Sequence, residues 1–145
     1  MGKYVHIALA CLFLGGIAFS ETLELPSEKG LAGWVQTIAG ISSTNDFLEV
    51  SVPQETKAKG HLGVWKKFQM PKFANETVAV SVDMKGSNVA SYGKYGGAKL
   101  TASYSDQEGK MHYPGIKPLF GTFDWLTVSF TFTVPDSGSF VISLG

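Results

Sequence analysis

Trp65, Lys67 and Gln69 follow one another at two-residue steps within positions 62–70. On an extended chain alternate side chains share a face. These three therefore lie together, with Leu62, Val64, Phe68 and Met70 on the opposite face and Lys66 as the exception. A flat indole beside a cation and an amide suits a hydroxylated ring. The aromatic face takes C–H groups, the polar side chains take hydroxyls, and no pKa tuning is required. The plain alternative is an edge tryptophan with two solvated neighbours. Tyr92 and Tyr95, in SYGKYGG, add two rings beside glycines on a loop, for binding or for loop packing. Tyr113, in HYPG, ranks below them.

Catalytic chemistry is poorly provided for. A glycosidase needs two carboxylates at a set separation. Asp83, Asp106, Glu108 and Asp124 are available, but most read as turn residues. A lyase-like Tyr/His pair exists literally in His112-Tyr113, yet neighbours on a strand point apart and the chain has no arginine. His6, His61 and His112 have no metal-ligand spacing. Asn75-Glu76-Thr77 fits a glycosylation sequon.

The bulk composition narrows the partner. Twelve basic and 12 acidic residues cancel, and no basic stripe stands out, which argues against nucleic acid. Charged residues make up 17 % and aromatics 12 %, with 17 glycines, a mix suited to an all-β extracellular domain with a neutral partner. Positions 1–20 read as a secretory signal peptide: Lys3, an apolar run over 7–19, then Ala18 and Ser20 before a cut at Glu21. The run is short for a membrane anchor, which needs about 20 residues. Lipidation at Cys11 is the minor alternative. The cut leaves positions 21–145 as one domain, secreted or periplasmic, without a membrane segment and without a disulfide.

The elements that must carry these groups are strands. Candidates lie at 34–38, 47–52, 62–70, 77–84, 98–105, 126–134 and 139–144, separated by Gly, Pro, Asn and Asp clusters. Val78, Val80, Val82 and Met84 form one inward face; Phe140, Ile142 and Leu144 form another. Short strands without helical period predict an all-β fold, an antiparallel β-sandwich or jelly roll. Its long loops, 86–97 and 111–122, are where function should collect. Trp34 is expected in the core.

The strand in FGTFDWLTVSFTFTVP poses its own question. Leu126, Val128, Phe130, Phe132 and Val134 alternate with threonines and a serine. Strict phase puts Trp125 on the wet face with Thr127.

The runs ETVAVSVDMKGSNV, GGAKLTASYSDQEGK and GTFDWLTVSFTFTVPDSGSFVISLG together resemble carbohydrate-binding modules of the family 4/9 type, galactose-binding-like jelly rolls. The resemblance covers about position 47 to Gly145. It implies a non-catalytic module that binds a neutral polysaccharide or glycan, with a structural calcium as its only implied cofactor. In such modules Asp-Trp is a framework feature, so the resemblance favours Trp125 in the core, turned inward by a bulge, with Asp124 capping loop amides. Such modules also continue past Leu-Gly into a last strand, which is missing here. Its loss should expose a sheet edge. Two further readings follow: an assembly domain that associates with itself or a partner by strand addition at that edge, and a remnant of a glycoside hydrolase.

Overall fold

The computed structural model describes residues 3–6, 9–10, 22–23, 33–37, 41–43, 48–50, 62–90 and 96–145. Strands in chain order are β1 (Lys3–His6), β2 (Leu9–Ala10), β3 (Thr22–Leu23), β4 (Val35–Gln36), β5 (Ile41–Ser43) and β6 (Leu48–Val50). They continue as β7 (Val64–Gln69), β8 (Thr77–Val89), β9 (Leu100–Ser105), β10 (Met111–His112), β11 (Gly121–Thr133) and β12 (Ser139–Leu144). One 3-10 turn, Pro71–Phe73, joins β7 to β8.

The fold is all-β. One five-stranded sheet runs β11-β8-β1-β6-β5 and the other β10-β9-β12-β7-β4. All their pairings are antiparallel. The short pair β2–β3 forms a third sheet and joins the ladder of neither.

Alternation sets the faces. Val78, Val80, Val82 and Met84 of β8 are buried, as are Phe140, Ile142 and Leu144 of β12 and Leu100 and Ala102 of β9. These faces meet in one apolar core, held by burial of apolar surface from water. Aromatic rings run through it in an unbroken series. Trp34 meets Phe68 edge-on at 6.3 Å, Phe68 stacks on Phe140 at 5.5 Å, and Phe140 meets Phe132 edge-on at 5.2 Å. Phe132 stacks on Tyr104 at 5.7 Å, and Tyr104 stacks on His112 at 5.2 Å. The series passes from one sheet to the other at Phe132, which belongs to β11, while Phe140 and Tyr104 belong to β12 and β9.

Strand 139–144 has the predicted extent; others differ. β8 continues to Val89, through the first part of the predicted glycine-rich loop. The reason is Gly86. A Cβ there would lie 2.3 Å from the Phe123 ring, so this glycine makes room for packing and does not mark a turn. β11 likewise begins at Gly121, inside the second predicted loop. β4 keeps only two residues of the predicted 34–38 strand.

Of positions 1–20, two short pieces are described, β1 and β2. The backbone of β1 lies between β8 and β6, with Tyr4 opposite Lys85 and Glu49. A cut before Glu21 would withdraw β1 from that place. An open edge near the chain end is the sequence-based expectation, yet β12 has β9 and β7 on its two sides. The long edge belongs to β11.

Candidate functional site

The predicted residues of β7 do share a face. Val64 is buried and Phe68 packs on the core, while Trp65 is partly buried and Lys67 and Gln69 are exposed. The outer surface of this sheet follows from register. Trp65 stands opposite Val35 of β4 and Ser143 of β12. Lys67 stands opposite Val141, and Gln69 opposite Ser139. One strand further on, Ser143 faces Thr101 and Val141 faces Ser103. The result is a flat strip with one large ring, one ammonium group and several hydroxyls. Lys66, the exception to the alternation, places its Nζ 5.6 Å from the Phe68 ring centroid and does not join the strip. Gln69 is partly committed, its Nε2 donating to the Ser137 carbonyl at 2.8 Å. Tyr92 and Tyr95 lie outside the described residues.

Beyond Gln69, at the end of the sandwich, turns enclose a cleft of about 320 Å³. Asn75, Tyr104, Asp106, Gln107, His112 and Asp136 are among its lining residues. Asp106 organises one wall. Its Oδ1 accepts from the backbone amides of Glu108 at 3.0 Å and Lys110 at 2.9 Å, and its Oδ2 lies 2.7 Å from His112 Nε2. Asp136 organises the opposite wall and accepts from the side-chain amides of Asn75 and Gln107. The sequon asparagine is thereby tied to the turn after β11. The polar groups of this cleft serve each other first. Sequence reasoning passed over it because the residues come from three segments far apart in the chain, which the Asp136 bonds to Asn75 and Gln107 bring together.

The His112 contact, with the Lys110 and Glu108 amides, holds the Asp106 carboxyl below the ordinary aspartate value of 3.8. A folded-state value below the unfolded one stabilises the fold fully above that ordinary value. The contribution is lost as pH falls through the depressed folded value. Asp106→Asn should therefore bring the melting midpoints at about pH 7 and about pH 3 closer together than in the unaltered chain.

Trp125 requires a correction. Its ring is not in the core but 44 % exposed. The bulge is present: Phe123 pairs with Gly86 and Leu126 with Met84, so β11 spends one more residue than β8 over this interval. The extra residue turns Phe123 inward and leaves Asp124 and Trp125 outside. Asp124 accepts from the Trp125 amide and from Lys85 Nζ, both at 2.9 Å. The Lys85 contact, more than the amide, lowers its carboxyl pKa. Asp124 thus lies in a strand, not a turn, and Asp83, on β8 as predicted, bonds Thr127 across to β11. Trp34 is buried as expected, its indole N–H without an acceptor among the described residues. Tyr113 is 67 % exposed, whereas His112 is turned to Asp106 and Tyr104.

No family model, no curated protein and no solved structure matches the chain. Among the described residues no three His, Cys, Asp or Glu side chains converge to hold a metal.

Proposed function

We propose that this chain is a secreted, non-catalytic module that binds a neutral polysaccharide or glycan. One observation carries the reading: Trp65 lies on an open sheet face in register with Ser143 and Val35, with Lys67 and Gln69 continuing the same row. A sugar ring laid on the indole covers its C–H face. Lys67, Gln69 and the neighbouring hydroxyls then receive the equatorial groups. The row from Trp65 to Gln69 extends about 13 Å at ordinary strand rise, so the strip suits a chain of linked rings better than one ring. Tyr92 and Tyr95, which lie between β8 and β9 in the sequence, are proposed as further stacking residues.

A thermal melt followed by tryptophan fluorescence, with soluble glucans, xylans, mannans and galactans added in turn, tests this. A ligand that binds only the folded state raises the midpoint by mass action. One polysaccharide class should do so. Trp65→Ala should keep a cooperative melt and weaken that ligand about thirtyfold, the effect of losing a central aromatic anchor. Undiminished affinity in Trp65→Ala would place the site elsewhere, and no shift with any polysaccharide would remove the reading.

A further inference from the structure

The two five-stranded sheets end in four edge strands. Among the described residues three are very short: β4 and β10 have two residues each and β5 has three. Short edges are one way in which sheets avoid pairing with other chains. The fourth edge, β11, has 13 residues. One side of it pairs with β8, and among the described residues no strand pairs with the other.

This edge lacks the usual protection. From position 125 to 133 there is no charged residue and no proline. The bulge at Phe123–Leu126 and Pro135 mark its two ends but leave the middle regular. The inward side chains are also incompletely covered. Val80, Val82 and Met84 of β8 are sealed, whereas their partners Phe130, Val128 and Leu126 are only partly buried. Since β8 covers one flank, the remaining exposure lies on the flank away from it.

We infer that β11 is the dimerisation edge of this protein, and that its occupant is β11 of a second copy running antiparallel. The sequence is its own complement. Pairing about Ser129 sets Thr127 against the partner's Thr131 and Val128 against the partner's Phe130. Pairing about Phe130 sets Ser129 against the partner's Thr131 and Val128 against the partner's Phe132. Both registers place hydroxyls opposite hydroxyls and apolar groups opposite apolar groups, the pairs that stabilise neighbouring strands. No charge opposes this approach in either register. Among the described residues each chain has one such edge, so a two-fold pairing consumes both and closes at two copies without growing into a fibre. The inference is independent of the sugar reading, because Trp65 lies on the other sheet.

The mass of the full chain in solution, measured over a range of concentrations, is the test. Twice the 15.6 kDa chain mass is expected, falling to the monomer on dilution. Ser129→Lys with Thr131→Lys, and separately Ser129→Glu with Thr131→Glu, should each give monomers with cooperative melts. Both positions point outward, opposite Ser81 and Ala79. Mixing the two variants should restore the dimer, since lysines then meet glutamates across the edge in either register. Should a double variant fail to fold, Thr131→Lys alone carries the same expectation of a weakened dimer. An unaltered chain that stays monomeric at every concentration, a folded lysine variant that dimerises as before, or a mixture that stays monomeric would each overturn the inference.

Discussion

Phe132→Ala should lower the stability of this protein by about 4 kcal/mol, in the range seen when a buried aromatic ring is removed. Phe132 is buried where the two sheets meet, edge-on to Phe140 and stacked on Tyr104, with Phe130 at 6.1 Å. No neighbouring side chain can fill the space, because those around it are rings already committed to each other. The loss corresponds to a fall in melting midpoint of about 12 °C for a domain of this size. The damage should extend to His112, whose partner Tyr104 loses its support from below. A denaturant melt of Phe132→Ala with an unshifted midpoint would mean that the sheets are not joined through this ring.

Gly63→Ala should cost about 3 kcal/mol, at the upper end of ordinary overpacking. An added Cβ would lie 1.8 Å from the Leu144 carbonyl oxygen and 2.7 Å from the Gly145 Cα. Both obstacles are backbone, so no rotamer change relieves them. Relief requires the start of β7 to move away from the end of β12. That movement breaks a clamp on the other side. Thr37 donates its backbone N–H to the Gly63 carbonyl at 2.9 Å, and its Oγ1 accepts from the Gly63 amide at 2.8 Å. The expected signature is a lower midpoint together with early loss of hydrogen-exchange protection at β4 and at the last residues of β12. A midpoint and exchange pattern unchanged from the parent would show that the two backbones are not in contact.

The central strands were legible because one force governs them. Where a strand has one dry and one wet face, alternation appears directly in residue type, as in β8, β12 and the second half of β11. The same logic identified the outward row of Trp65, Lys67 and Gln69. It failed where a local feature broke the period. A bulge adds one residue without changing composition, so the sequence could not show which of Phe123 and Trp125 turns inward. The family likeness suggested Trp125; Gly86 decides for Phe123, because only a residue without Cβ leaves space for that ring. Gly86 was itself misread as loop chemistry, since a glycine that admits a neighbour and a glycine that turns the chain look the same in sequence. The end cleft was not legible at all. Asp106 and His112 come from the β9–β10 hairpin, Asp136 and Asn75 from two other turns, and nothing in their spacing announces that these segments meet.

The placement of β1 between β6 and β8 bears on when this protein can fold. β1 takes one neighbour near position 50, but its other neighbour does not exist until Lys85 has been made. β12 in turn completes the second sheet only once Leu144 has been made. Neither sheet can grow outward from the N-terminus as the chain emerges. Closing both sheets must wait for β12 and then join several strands far apart in the chain, which places this fold among the slow, topologically non-local folders, on a timescale of roughly milliseconds to seconds.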